Sequence, residues 1–327
     1  MSHLAHKSVL FFAPCFFDYE KAIINQLVDF KAKVDFLPDR PYSKPWQTGL
    51  TRHASFLMQP FVDNFYMKKL DQLVSNQYDF IFIINGQTLS KKILQVLKNT
   101  YPQAKFILYL WDSIQNRPKS IHNFIFFDKV LTFDSDDASN YEIGLRPLFF
   151  TAEFENLSNA THGIDLSFVA TMHSDRYKIV LQVMKNMPYA LVTYWYFYLQ
   201  AKWVFYLYKI TKKSFRQSTI DTFKFSPIDK PTLKQVFRDS KAILDIEHPN
   251  QRGLTMRTLE TVGANKKLIT TNPRIKEYDF FREENIFIID RNNPDIPSAF
   301  WTVEYRELPD SIYSKYKLKN WLLEVLS

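Results

Sequence analysis

Residues 78–111, YDFIFIINGQTLSKKILQVLKNTYPQAKFILYLW, decide the fold. Tyr78–Ile84 is a continuous apolar run that stops at Asn85-Gly86. Leu89–Lys98 carries apolar residues at helical spacing, and Lys105–Trp111 is a second apolar run. Two strands without polar alternation, joined by a helix, describe a parallel pair buried on both faces. The rhythm extends outward in both directions. Upstream, Ser8–Phe17 reads as a strand and Tyr19–Lys31 as a helix with Ile23, Ile24, Leu27 and Phe30 on one side. Lys33–Leu37 is a short strand closed by Pro38, and Phe61–Ser75 reads as helical. Downstream, Lys129–Phe133 is a strand followed by Asp134-Ser135-Asp136-Asp137.

The pattern loosens around 150–163 and then restarts. Asp165–Ala170, Lys241–Ile246, Lys267–Thr271 and Ile286–Ile289 read as strands, with helices expected at Arg176–Asn186 and Leu254–Ala264. The expected class is α/β, as two consecutive Rossmann-like halves rather than one very large sheet. Residues 1–155 form the first domain and 156–308 the second, with 309–327 containing an amphipathic closing helix at Tyr313–Leu326.

Composition narrows the chemistry. The chain has 327 residues but only six glycines, where average usage of about 7% predicts roughly 23. No two are spaced for G-x-G-x-x-G or a Walker A loop, so a phosphate has to be held another way. Cys15 is the single cysteine, which excludes an intrachain disulfide and a cysteine-based zinc site and fits a reducing cytoplasm. The apolar run within the first fifteen residues reads as a strand, not a signal peptide. No stretch of eighteen apolar residues is free of charge, so no transmembrane helix is expected.

The net charge is +8, which suits nucleic acid, anionic membrane or phosphorylated small molecules. The charges are interspersed and no recognition motif accompanies them, so no nucleic-acid partner is expected. The segment Tyr189–Phe215, rich in Tyr, Trp and Phe and followed by Arg216, is drawn as a helix with aromatics on nearly every face. Two readings stand: contact of 189–216 with an anionic membrane surface, or a helix packed inside the protein.

The chemistry concentrates in Asp245–Asn272, DIEHPNQRGLTMRTLETVGANKKLITTN. A strand ends in a polar loop, the loop ends at Gly253, and a helix begins. Helix starts expose unpaired N–H groups and a positive dipole end, which makes an anion site without a glycine-rich loop. Gly253 lets backbone approach a phosphate, and Thr255 caps the helix or donates to the anion. Arg257 and Glu260 lie three apart on one helix face. Glu260 is placed either to accept from both ribose hydroxyls or to pair with Arg257. Ahead of this unit, His173-Ser174-Asp175-Arg176 follows a strand. Arg176 is suited to bidentate phosphate binding, and Ser174 or Asp175 to capping. Trp111-Asp112 sits at a strand's carboxyl end, where open α/β sheets bind ligands, and Asp112 is a candidate general base. His248 and Glu247 lie in the loop before Gly253, within reach of a bound sugar or its phosphate. Asp134 and Asp136 have D-x-D spacing, which is read either as a metal site or as the cap and first turn of a helix.

The segment Asp245–Asn272 resembles the donor-binding βαβ unit of GT-B glycosyltransferases. Glu260 matches the family's ribose-binding glutamate, and Gly253, Leu254 and Thr255 match the turn before it. Tyr109–Asn116, Asp128–Asp137, Asp165–Tyr177 and Gln251–Asn272 are, more narrowly, similar to segments of bacterial capsule and lipopolysaccharide glycosyltransferases. One departure is Ala13-Pro14-Cys15-Phe16-Phe17, which stands where many members carry a glycine-rich loop. The resemblance implies two Rossmann-like domains facing across a cleft, with the last helix packed back on the first domain. It implies a nucleotide-diphosphate sugar as donor, held by His173, Arg176, Gly253, Leu254, Thr255, Arg257 and Glu260. A glycan or glycolipid acceptor would be served by Asp112 and His248, with no metal or other cofactor, at the inner face of the cytoplasmic membrane. The alternatives are a nucleotide-sugar epimerase of the same fold, a metal-dependent transferase using Asp134 and Asp136, or a non-catalytic glycan-assembly partner.

Overall fold

A computed structural model describes residues 2–40, 55–73, 76–157, 163–188, 190–249 and 252–327. Gly49, Tyr189, Asn250 and Gln251, the last two residues of the expected helix Phe61–Ser75 and part of the loosened 150–163 stretch lie outside them. The chain divides into two compact units, Met1–Pro147 with Leu318–Ser327, and Leu148–Lys317.

Among the described residues the first unit contains six parallel strands: β1 Ser8–Ala13, β2 Lys33–Pro38, β3 Phe80–Ile84, β4 Lys105–Leu110, β5 Lys129–Thr132 and β6 Gly144–Leu145. Their order across the sheet is β2-β1-β3-β4-β5-β6. Helices α1 Tyr19–Asp29, α2 Ser55–Asp71, α3 Lys91–Thr100 and α4 Ser135–Asn140 belong to the crossovers. All five residues of β3 are buried, as the unbroken apolar run requires. Ser90 caps α3 by accepting from the Ile93 amide at 3.2 Å, while Ile93, Leu94 and Leu97 enter the core. β3 ends on Asn85 (φ 64°) and Gly86 (φ 60°), two successive left-handed residues that turn the chain out of the sheet.

Among the described residues the second unit has five parallel strands: β7 Ile164–Thr171, β8 Thr193–Tyr198, β9 Ser240–Asp245, β10 Lys267–Thr270 and β11 Ile286–Ile288. Their order is β11-β10-β9-β7-β8. Helices α5 Arg176–Asn186, α6 Lys202–Thr211, α7 Lys230–Asp239 and α8 Met256–Gly263 are followed by α9 Ser298–Thr302 and α10 Asp310–Tyr313. One core gathers Tyr177, Val180, Phe197, Phe205 and Phe223; another gathers Phe154, Val169, Leu233, Phe237 and Ala264. The expected class of two parallel α/β sheets is therefore the observed one.

The structure departs from the sequence reading in three places. The expected helix Tyr189–Phe215 is instead an edge strand, β8, followed by the short helix α6. Six consecutive Tyr, Trp, Phe and Thr residues favour a pleated surface, and β8 pairs with β7 from Leu166↔Thr193 to Thr171↔Tyr198. Trp195 is thereby half-buried against Phe168 and Phe197, its indole donating to Thr193 at 2.9 Å. The expected helix Tyr313–Leu326 breaks at Lys317, whose extended backbone separates α10 and a 3₁₀ turn from α11, Leu318–Val325. The Phe150 amide donates to Tyr316 O at 2.9 Å beside that break. Finally, the units divide at Pro147 rather than near 155, because Phe150, Phe154 and Leu157 are already buried within the second.

α11 is seated in the first unit by Trp321, which is 0% exposed and lies 4.7 Å from the Tyr109 ring and 6.2 Å from that of Phe82. Buried Arg146 pairs with Glu324 of the same helix at 2.7 Å. Truncating a buried Trp costs about 3–5 kcal/mol. Trp321→Ala is therefore expected to lower the unfolding free energy by about that much in urea titration. Trp203→Ala, at a residue 65% exposed, is expected to change it by less than about 0.5 kcal/mol.

Candidate functional site

In an open α/β sheet the polar loops collect at the carboxyl ends of the strands, and ligands bind where successive connections diverge. In the second unit that point lies between β7 and β9, because the chain leaves β7 toward β8 and returns to β9 on the other side. The loop after β7 contains His173, Ser174 and Asp175, and the loop after β9 runs from Ile246 to Thr255.

Two arginines organise these loops. Arg176, expected to bind phosphate, is committed elsewhere: its Nε donates to Ile246 O at 2.6 Å and its Nη1 to Thr171 O at 3.1 Å. It thus ties the end of β7 to that of β9. Burial lowers its pKa from the ordinary arginine value, with Asp245 and Glu247 nearby to oppose that. Arg291, which the sequence reading missed, follows β11. Its Nη1 contacts both oxygens of Asp175 at 2.8 and 2.9 Å, and its Nη2 donates to Glu247 Oε1 at 2.7 Å. Burial works against the Arg291 charge, but the hydrogen bonds to Glu247 and Asp175 outweigh it and raise the pKa. Thr271 after β10 donates to the other Glu247 oxygen at 2.5 Å. The only sequence signal for Arg291 was its place just past a strand, in Ile289-Asp290-Arg291.

The start of α8 is capped as expected. Thr255 Oγ1 accepts from the Thr258 amide at 3.1 Å and donates to Asp245 Oδ2 at 2.5 Å. The hydroxyl is thus occupied, while the helix places its first N–H groups and positive end at this edge. Gly253 and Leu254 are buried beneath the turn. Glu260 is 3% exposed and accepts from Arg257 Nη1 at 2.8 Å, forming the i,i+3 ion pair. The Arg257 guanidinium also lies 5.0 Å over the Phe237 ring.

His173 and His248 face each other with ring centroids 5.7 Å apart. Burial drives the His173 pKa down to about 3, with Arg176 and then His248 and Lys212 adding to the effect. The imidazole is neutral at physiological pH and serves as a neutral donor or acceptor, not as a source of positive charge. Ser174 beside it is held at φ 49°, with Lys212 donating to its carbonyl at 2.7 Å.

The first unit has its own polar edge. Asp112 Oδ2 accepts from Arg117 Nε at 2.6 Å and Asn85 Nδ2 at 3.3 Å. Asp39, after β2, was also missed. It is 1% exposed, takes the Thr88 amide on Oδ1 at 3.3 Å and has no hydrogen-bond partner for Oδ2 among the described residues. Burial raises its pKa to about 6, against the backbone donors Thr88 and Gln87. The metal reading of Asp134 and Asp136 is corrected. Asp134 is 1% exposed, caps α4 by accepting from the amides of Asp136 and Asp137, and also accepts from Ser113 at 2.8 Å. Among the described residues no group of three or more His, Cys, Asp or Glu is placed to hold a metal ion.

No protein-family model matches the chain, and no curated protein matches it. Solved structures do. Anabaena HepE, in complex with UDP and glucose, superposes with TM-score 0.53 at 11% identity, over 98% of this chain and 95% of its own. A glycosyltransferase from Rickettsia africae superposes with TM-score 0.53 at 12% identity, over 98% and 92%. The UDP-GlcNAc 2-epimerase of Methanocaldococcus jannaschii, in complex with UDP-GlcNAc and UDP, gives 0.55 at 9% identity, over 98% and 99%. At these identities the likeness is one of fold, the two-Rossmann GT-B fold.

His173 and Asp39 predict opposite pH effects. Below pH 6.5 the unfolded chain binds a proton at His173 that the folded chain refuses until about pH 3, so His173 costs stability as pH falls through that window. Asp39 does the reverse. The unfolded chain releases its proton near 3.8 and the folded chain near 6, so it costs stability as pH rises between them and above. Urea midpoints are expected to fall less between pH 7 and pH 4 in His173→Asn than in the unmodified chain. Asp39→Asn is expected to gain more stability at pH 8 than at pH 4.

Proposed function

We propose that the chain is a glycosyltransferase that moves a sugar from a nucleoside-diphosphate sugar to a glycan or glycolipid acceptor. The observation that carries this reading is the polar edge between β7 and β9. It combines the start of α8, the facing imidazoles of His173 and His248 and ordered arginines in a chain whose fold matches that of HepE held with UDP. The diphosphate lies against the N–H groups that open α8 at Gly253–Thr255, flanked by His173 and His248. Arg176 and Arg291 hold the loops and supply positive potential without releasing their carbonyl and carboxylate partners. Glu260 accepts the ribose hydroxyls in exchange for Arg257, whose freed guanidinium turns to the phosphates. Charge developing on the leaving diphosphate is met by these preorganised donors, with no metal in the scheme. Asp112 of the first unit removes the proton from the attacking acceptor hydroxyl.

The acceptor class proposed is a surface polysaccharide or lipopolysaccharide under assembly at the inner face of the cytoplasmic membrane. Among the described residues no helix is long and apolar enough to cross a membrane. The superposition on UDP-GlcNAc 2-epimerase favours a second reading, a nucleotide-sugar epimerase. Incubation with a nucleotide sugar and no acceptor separates the two, since only an epimerase converts it.

A thermal-shift screen of free nucleoside diphosphates and their sugars tests the donor site. A ligand at 100 times its Kd stabilises by about 2.7 kcal/mol, which is readily seen as a rise in Tm. A response to at least one nucleoside diphosphate is expected, and Glu260→Gln is expected to need at least about tenfold more nucleotide for the same rise. A flat screen overturns the reading as a whole. An undiminished response in Glu260→Gln overturns the ribose assignment alone.

A further inference from the structure

The inner face of α6 is built into the second unit. Val204 and Phe205 are buried, and the Phe205 and Phe223 rings lie 5.4 Å apart. The outer face has no such cover. Trp203, Tyr206, Leu207 and Ile210 are 65%, 57%, 46% and 77% exposed. Their spacing of three, four and seven residues puts all four on one side of the helix, opposite Val204 and Phe205. Single exposed apolar residues are ordinary on a protein surface, but a continuous four-residue face of this size marks an interaction site.

The charge along this stretch of the chain is one-sided. Between Asp175 and Asp221 the sequence has no carboxylate and eight Lys or Arg. Removing these eight from the chain's 42 leaves 34, equal to its 34 Asp and Glu. This one segment therefore holds the entire net charge of +8. Lys202, Lys209, Lys213 and Arg216 are all exposed. Lys209 lies along the helix flank, donating to Ser218 O at 3.1 Å and sitting 5.6 Å from the Phe205 ring.

We infer that α6 is a membrane-docking face and that its partner is an anionic lipid bilayer. The ten-residue helix is about 15 Å long, far short of the bilayer core, so it lies in the plane of the surface. Trp203 and Tyr206 occupy the headgroup boundary, Leu207 and Ile210 enter the acyl region, and the cations meet lipid phosphates. A nucleic acid would satisfy the charge but not the face, since Leu207 and Ile210 have neither a ring to stack on a base nor a donor to read one. The inference deepens the acceptor reading above by naming the surface from which a lipid-borne acceptor is reached. Because binding is measured without nucleotide or sugar, its failure leaves the donor-site reading standing.

The test is flotation of the full chain with vesicles of phosphatidylcholine alone and of phosphatidylcholine with about one third phosphatidylglycerol. Binding is expected to the anionic vesicles, with little to the neutral ones, and to weaken as salt rises. Trp203→Ser with Ile210→Ser is expected to reduce binding at least tenfold, with the thermal midpoint unchanged because both residues are exposed. Lys202→Glu with Lys213→Glu is expected to reduce it on anionic vesicles. Absence of binding to either vesicle overturns the proposal, as does undiminished binding of the Trp203, Ile210 variant. Preferential binding to a single-stranded RNA oligonucleotide that displaces the vesicles also overturns it.

Discussion

A parallel strand covered by helices on both faces has room for polar side chains chiefly at its ends. That constraint shapes both units. β3 and β4 bury apolar side chains along their length, and polarity appears just beyond them at Asn85 and Asp112. In the second unit Asp245 is the last residue of β9, Thr271 directly follows β10, and Arg291 follows β11 by three residues. The hydrogen-bonded ladder fixes the strands laterally, so these end residues are brought together whatever their separation in sequence. Asp175 and Arg291, 116 residues apart, meet at 2.8 Å for this reason.

The resulting edge is more rigid than an open basic pocket. Arg176, Arg257 and Arg291 each have partners, and Asp175, Glu247 and Glu260 are the carboxylates that answer two of them. Buried charges are tolerated only when paired in this way. The arginines therefore act first as struts that hold the loop backbones. In the proposed donor site the diphosphate is met by the start of α8, by His173 and His248, and by Arg257 once Glu260 turns to the ribose. On that proposal, a chain with six glycines needs no glycine-rich loop to hold a diphosphate. The N–H groups that open a helix supply that site from backbone alone.

Much of the architecture was legible because its signal is local. Unbroken apolar runs such as FIFII and KFILYL, separated by helical spacing, specify buried parallel strands from composition alone. The loop and helix from Asp245 to Gly263 were legible for the same reason, down to the Thr255 cap. The aromatic segment was not. TYWYFY fits an amphipathic helix and a pleated strand equally well, and only pairing with β7 decides between them. The break at Lys317 was hidden too, because YSKYKLKNWLLEVL has one continuous helical period. What interrupts it is a backbone hydrogen bond from Phe150, a residue far upstream.

The sequence by itself determined the two α/β units, the candidate loops, the scarcity of glycine and a strongly basic segment without carboxylates. Those features depend on residue type and spacing over a few turns of chain. Only the tertiary structure decided what each candidate side chain is doing. It turned Arg176 from a phosphate fork into a tie between β7 and β9, and it closed Glu260 against Arg257. It buried Asp134 as a helix cap, added Arg291 and Asp39, and separated Trp195, packed in the sheet, from Trp203, left at the surface. The physical reason is that a charged or aromatic side chain takes its partner from whatever the fold brings within a few ångströms. That distance is set by strand order, which no local pattern contains.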